Sequence, residues 1–219
     1  MIQPTAGSGS LGLISRFVPA QATGLPALLL LHGTGGDESD LLPLGTELLP
    51  NAALISPRGA VLEGGMPRFF KRLSPGVFDL EDLALRSAQL AEFIVQARLQ
   101  LHIVQPLVAV GLSNGANIGA DLLLNHPGAL DGAILFRALV AREPAADRAV
   151  AGVPVLIAAG SDDPIVSTAQ VEQLERLLAA HGHRVEVHWS RAGHGLTRDD
   201  LASAQAWLRG LQWGLGSDG

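Results

Sequence analysis

Residues 107–120 read LVAVGLSNGANIGA, an apolar run that ends in Gly111-Leu112-Ser113-Asn114-Gly115 and continues into small residues compatible with a helix. Glycines two before and two after Ser113 permit a turn tight enough to lift a serine hydroxyl clear of a sheet. A helix N-terminus directly behind that hydroxyl offers a dipole and free amides to a developing anion. The alternative is an ordinary helix cap by Ser113, with glycines that serve close packing.

The same alternation recurs outward from this unit. Short apolar runs ending in Gly, Ser or Pro predict strands over 11–18, 27–31, 53–56, 107–111, 132–136, 153–159 and 184–189. Helical spacing predicts helices over 79–99, 116–125, 168–181 and 198–211, the first carrying a stripe of Leu80, Leu83, Leu85, Leu90, Phe93 and Ile94. Hydrophobic residues make up 47% of the 219, as expected when a parallel sheet is covered on both faces. The expected fold is therefore α/β, with a mostly parallel central sheet, helices on both faces and no large cap. One domain over 1–219 is expected, with loose tails at about 1–10 and 212–219. Residues 60–77, AVLEGGMPRFFKRLSPGV, resist periodic assignment. They read as a loop packed over the body, with Met66, Phe69 and Phe70 as a candidate wall for a site.

Composition narrows the partners. A net charge of −6 and no basic cluster beyond RFFKR argue against nucleic acid. The two longest uncharged stretches, 17–36 and 99–120, are broken by Pro, Gly and polar amides, so no membrane insertion is expected. The N-terminus lacks the pattern of a secretory signal, and a cytoplasmic location is expected. The absence of cysteine removes disulfides, thiolate nucleophiles and cysteine metal sites.

The other glycine cluster, LLLLHGTGGDESD over 28–40, raises the question of a nucleotide. Gly33-Thr34-Gly35 begins a G-x-G-x-x-G, but the third glycine is replaced by Glu38, beside Asp37 and Asp40. Carboxylates there would repel a pyrophosphate, and no P-loop pattern occurs. The acids read as the cap and start of the next helix rather than as metal ligands. No cofactor and no metal are expected.

A serine hydroxyl needs a base and an acid to orient that base. Among seven histidines, His194 in SRAGHGLT stands in a glycine-bracketed loop just after the last strand. It is the best placed to swing over the sheet edge. The acid should leave the end of the preceding strand, where GSDDPI offers Asp162 and Asp163, and spacing cannot choose between them. Acyl transfer also needs oxyanion donors. The backbone N–H of Asn114, after the nucleophile, and that of Thr34, in the early loop, are the candidates. Because Thr34 would act through its backbone, Thr34→Ala is expected to matter little.

With these residues in order, the sequence resembles the phospholipase/carboxylesterase family of the α/β-hydrolases, and most closely its bacterial hydroquinone-resistance-type carboxylesterases. LHGTGGDESDLLPL, SPRG, GMPRFFKR, GLSNGANI, AILFRALV, GSDDPI and GHGLT carry the likeness across about residues 27–211. The resemblance implies that the aspartate before Pro164, Asp163, is the acid. It also implies a metal-independent serine esterase of small carboxylic esters, with lysophospholipases and acyl-thioesterases among its relatives, and it allows a homodimer. Gly195 and Leu112 depart from the family pattern, which leaves substrate preference open. Lacking a long insertion, the chain should have an open cleft suited to short acyl groups. Arg58, Arg68 and Arg137 are candidates for a polar substrate tail, with surface ion pairs as the alternative. Outside this chemistry stands a catalytically silent hydrolase fold that binds a ligand.

Overall fold

The computed structural model describes residues 5–6, 12–74, 76–144 and 152–211. In chain order they form β1 (Thr5–Ala6), β2 (Ser15–Val18), β3 (Ala27–Leu31), α1 (Leu42–Leu48) and β4 (Leu54–Pro57). After these come β5 (Val61–Glu63), β6 (Met66–Arg68), β7 (Arg72–Ser74), β8 (Val77–Phe78) and α2 (Leu80–Gln100). The remaining elements are β9 (Leu107–Leu112), α3 (Asn114–Asn125), β10 (Gly132–Phe136), β11 (Pro154–Gly160), α4 (Thr168–Ala180), β12 (Arg184–Ser190) and α5 (Arg198–Gly210).

Eight strands make one sheet in the order β1-β2-β4-β3-β9-β10-β11-β12. From β4 to β12 neighbouring strands are parallel, while β2 joins β4, and β1 joins β2, in antiparallel pairing. The all-apolar run of β3 reflects burial on both faces. Leu29 and Leu31 pack with α2, α3 and α4, and Leu28 and Leu30 with α1 and α5. Each such leucine contributes roughly 1.5–3 kcal/mol by leaving water. This is the expected α/β architecture, with its helices on both faces. The chain steps from β3 outward to β4 and then returns to β9 on β3's other side. The carboxyl ends of β3 and β9 thus flank a reversal of strand order, where open α/β sheets place their ligands.

The predicted strand over 11–18 begins only at Ser15, and its first residue lies outside the described residues. The tail expected to be loose over 1–10 contributes Thr5–Ala6 to the sheet, paired with Phe17 and Arg16. The other tail, 212–219, lies outside the described residues.

Two further expectations are corrected. The 60–77 segment is two small hairpins, β5–β6 and β7–β8, so it is pleated rather than irregular. The strands are two or three residues long, too short for a period to register. The acids Asp37, Glu38 and Asp40 do not start α1, whose N-cap is Leu41 with no side-chain cap and no acid in its first turn. Asp37 accepts from the Ser39 amide at 2.7 Å, and Glu38 pairs with Arg58, so these carboxylates shape the loop itself.

Candidate active site

The turn at Ser113 has φ 51° and ψ −113°, a left-handed conformation that a non-glycine residue adopts under strain. Both flanking glycines are required by space. A Cβ at Gly111 would lie 2.6 Å from the Ala116 Cα, and one at Gly115 would lie 2.0 Å from the Leu31 carbonyl oxygen. Only bare backbone lets α3 start so close to the ends of β9 and β3. The Ser113 N–H donates to the Phe136 carbonyl at 2.9 Å, which ties the turn to the end of β10.

His194 arrives from the loop after β12, and its Nε2 lies 2.9 Å from the Ser113 Oγ. Its Nδ1 lies 2.8 Å from Asp163 Oδ2. With the carboxylate accepting at Nδ1, that nitrogen carries the proton, and Nε2 is left to accept from the serine hydroxyl. The Asp163 side chain is almost wholly buried, and its other oxygen accepts from the amides of Ile165 and Val166 at 2.8 and 3.1 Å. Burial alone would raise its pKa. The Ile165 amide, His194 and the Val166 amide outweigh burial and hold the carboxyl below its ordinary value. Asp162, by contrast, is exposed.

Four of the other histidines are occupied elsewhere. His32 is buried: its Nδ1–H donates to the Gly33 carbonyl at 2.7 Å, and its Nε2 accepts from the Gly59 amide at 2.9 Å. Burial pushes its pKa down, against the pull of the nearby acids. His181 and His183 bond backbone carbonyls, and His188 pairs with Asp199.

Ser113 and His194 open into a cleft of about 630 Å³, within the usual range for small-molecule sites. Thr34 and Asn114 line the same cleft. Among the described residues, neither backbone N–H finds a protein acceptor, as expected for the first residue of a helix and for a turn that follows a strand. Two unpaired donors beside a hydroxyl held by an imidazole are what an acyl-transfer site requires. Thr34 has a second connection that its sequence position did not reveal. Its Oγ1 accepts from Arg68 Nη1 at 2.8 Å, and the neighbouring Gly35 N–H donates to the Pro67 carbonyl at 2.9 Å.

The expected pocket residues are largely reassigned. Phe69 and Phe70 are buried behind the cleft wall. Phe69 lies against His32, with ring centroids 4.7 Å apart, and its amide donates to Asn114 Oδ1 at 2.7 Å. Phe70 meets Phe78 edge-on. Met66 sits half exposed on the β5–β6 hairpin beside Gly35 and does not line the cleft. The apolar lining comes instead from Phe78, Leu112, Leu139, Ile165, Val166 and Leu196.

The arginines divide three ways. Arg58 lies outside the cleft, in a two-pronged pair with Glu38. Arg68 and Arg72 line the cleft and share Glu63, Arg68 at 3.2 Å without hydrogen-bond alignment and Arg72 at 2.7 Å. Burial pushes the Arg68 pKa down, Glu63 opposes that, and Arg72 reinforces it. Arg137 touches the cleft wall, but its side chain is fully buried against Asp200. Among the described residues there is no cluster of three or more His, Asp or Glu that could hold a metal ion, and no helix long and apolar enough to cross a membrane.

The chain is also similar to known proteins in sequence and in fold. Residues 82–213 match the dienelactone hydrolase family. The protein MhqD of Bacillus subtilis (strain 168) is 46% identical over 184 residues, which cover 83% of this chain and 92% of that protein. A crystal structure of a Bacillus cereus carboxylesterase superposes with a TM-score of 0.85 at 45% identity, covering 89% of this chain and 92% of the other. A carboxylesterase from Mesorhizobium loti superposes with a TM-score of 0.87 at 30% identity, covering 95% and 99%.

Proposed function

Because the chain belongs to the dienelactone hydrolase family, we propose that it is a serine carboxylesterase of small, short-acyl esters that works through an acyl-enzyme. The observation that carries this reading is the continuous run from Asp163 through His194 to Ser113, at 2.8 and 2.9 Å, beside the unpaired amides of Thr34 and Asn114.

In the first half-reaction the Ser113 Oγ attacks the ester carbonyl carbon while His194 Nε2 takes the hydroxyl proton. The carbonyl π pair moves to oxygen, and the amides of Thr34 and Asn114 hold that oxyanion. Asp163 keeps the ring in its Nδ1–H tautomer and stabilises the imidazolium. Collapse of the intermediate breaks the bond to the alcohol oxygen, which leaves with the proton from His194. Water then repeats the sequence against the acyl-enzyme, with His194 again as base, and releases the carboxylic acid and free Ser113. The short-acyl preference is supported by the openness of the cleft.

Hydrolysis of p-nitrophenyl esters of rising acyl length, with Ser113→Ala as control, tests the proposal. Turnover should be highest at acetate to butyrate and vanish in the variant. A preference for palmitate or for acyl thioesters would move the assignment to a lysophospholipase or thioesterase. Failure of folded protein to react at Ser113 with a fluorophosphonate would point to a silent binding fold.

A further inference from the structure

Arg137 heads the fully buried side chains by size. A buried guanidinium must place five N–H donors, and this one places them all. Its Nε donates to the Gly193 carbonyl at 3.0 Å. Its Nη1 donates to the Ala158 carbonyl at 3.0 Å and to Asp200 Oδ1 at 3.1 Å. Its Nη2 donates to the Gly195 carbonyl at 2.8 Å and to Asp200 Oδ2 at 2.6 Å. Gly193 and Gly195 are the residues on either side of His194. The fork therefore grips one carbonyl on each side of His194, in a loop whose two glycines impose little conformation of their own.

The backbone at the same position is equally committed. Arg137 takes a left-handed φ of 55°, its N–H donates to the Ala158 carbonyl at 2.9 Å, and the carbonyl just before it, Phe136, accepts the Ser113 N–H at 2.9 Å. One two-residue step at the end of β10 thus fixes the serine turn through its backbone and the histidine loop through a side chain. Asp200 supplies the counter-charge. It also caps α5, accepting from the Thr197 amide and hydroxyl, each at 2.8 Å. A left-handed arginine is strained, and apolar residues of similar volume often replace a buried ion pair without loss. Stability alone gives no reason for an arginine here.

We propose that Arg137, with Asp200 as its counter-ion, is a positioning residue that sets the imidazole of His194 between Asp163 and Ser113 by holding the carbonyls of Gly193 and Gly195. It touches no reacting atom. The inference rests on the reading of His194 as the base, and it replaces the expectation that Arg137 binds a substrate tail.

Two variants test it. Arg137→Lys keeps the charge, but an ammonium cannot reach both carbonyls as a planar fork does. Arg137→Met combined with Asp200→Asn leaves no unpaired buried charge and keeps an acceptor for the Thr197 cap. Both are compared with wild type as folded protein, on p-nitrophenyl acetate and by proton NMR of the His194 Nδ1–H. That resonance is assigned by its absence in His194→Gln. We expect kcat to fall about 10²-fold in each variant with KM changed less than threefold, which is the scale of a catalytic group misplaced by about an ångström. The Nδ1–H resonance should move or be lost as the bond to Asp163 loosens. A variant that folds and keeps this resonance at its wild-type position overturns the proposal. If wild type hydrolyses no ester, the proposed function fails, yet the resonance still decides whether Arg137 positions the ring.

Discussion

Two loops approach Ser113 from opposite sides of β9, one after the neighbouring β3 and one after the edge strand β12, and they are braced in opposite senses. The loop after β12 brings a side chain, His194, and is held by its backbone, through the Arg137 bonds to the carbonyls of Gly193 and Gly195. The loop after β3 brings a backbone amide, that of Thr34, and is held largely through side chains, by Arg68 on the Thr34 hydroxyl and Arg58 on Glu38. In each loop the part left for chemistry is the part not spent on anchoring. The same substitution should therefore have different consequences in the two loops. On the histidine side a changed side chain removes a reacting group or its partner, and on the Thr34 side it loosens a support.

The sharpest break in the comparison is expected at the histidine's partner. Asp163→Asn should lower kcat by about 10⁴-fold, because an amide at that position no longer selects the Nδ1–H tautomer or stabilises the imidazolium. Asp162→Asn should leave kcat within about threefold, since Asp162 is exposed and the His194 ring is held by Asp163. Steady-state kinetics on p-nitrophenyl acetate measures both, and equal losses would remove the distinction between the two aspartates.

A smaller effect is expected on the Thr34 side. The sequence suggests that Thr34→Ala is harmless, because the residue would work through its amide. The structure corrects this, since the hydroxyl accepts from a guanidinium whose residue is only 3% exposed. An unpaired buried donor costs roughly 1–3 kcal/mol. Thr34→Val, which keeps the shape and removes the acceptor, should lower kcat about tenfold and reduce the melting temperature. Thr34→Ser should restore both. If valine and serine behave alike in kinetics and melting, the Arg68 bond supports nothing.

What the sequence made legible follows the same division. The parallel strands were readable because burial on both faces writes itself as unbroken apolar runs, and β3 and β10 fall where their runs predicted. Ser113, His194 and the Asp162/Asp163 pair were readable because each leaves a strand end in a loop marked by glycine or proline, although only the resemblance chose between the aspartates. The wall of the cleft was not readable. Phe69 and Phe70 look like pocket residues in an uncharted segment, yet two short hairpins turn them inward and bring Phe78 to the surface of the cleft. Arg137 and Arg58 were two arginines near motifs, with no local sign that one would meet Asp200, 63 residues away, and the other Glu38, 20 residues away. Long-range pairing of polar side chains has no period, so nothing in a single sequence announces it.

The Thr34 loop should also respond to acid. His32, which starts it, has a pKa below 6.5 because it is buried, against the pull of Asp40, Asp37 and Glu38. The unfolded chain takes up a proton near 6.5, whereas the folded chain resists until lower pH. Stability held above 6.5 is therefore lost as the pH falls from 6.5 toward the folded value. His126 and His183, also lowered by burial, act in the same direction. Thermal melts at pH 7.5 and 5.5 should show a drop for wild type and a smaller one for His32→Gln. An equal drop would mean that His32 is not a source of the acid sensitivity.

The smallest effect is expected where a partly exposed arginine meets a carboxylate away from the cleft. Arg58 and Arg137 each grip a carboxylate with two nitrogens, but the Arg58–Glu38 side chains are 35% and 11% exposed, against 0% for both Arg137 and Asp200. Water competes for the outer pair, so it contributes at most about 1 kcal/mol. The carboxyl pKa of Glu38 is lowered chiefly by the bond to Arg58. Arg58→Gln should therefore reduce the melting temperature by about 2–4 °C or less and leave kcat within twofold. Since Arg58 does not line the cleft, KM should stay unchanged even for an ester with a carboxylate tail. A selective rise in KM for that ester would return Arg58 to the substrate-binding role that its sequence neighbourhood suggests. With KM flat, two arginines of the same pairing chemistry would differ about 10²-fold in their effect on turnover, and the difference would lie in what else the fork holds. Arg137 spends two donors on the carbonyls beside His194, whereas the Arg58 fork is spent on Glu38.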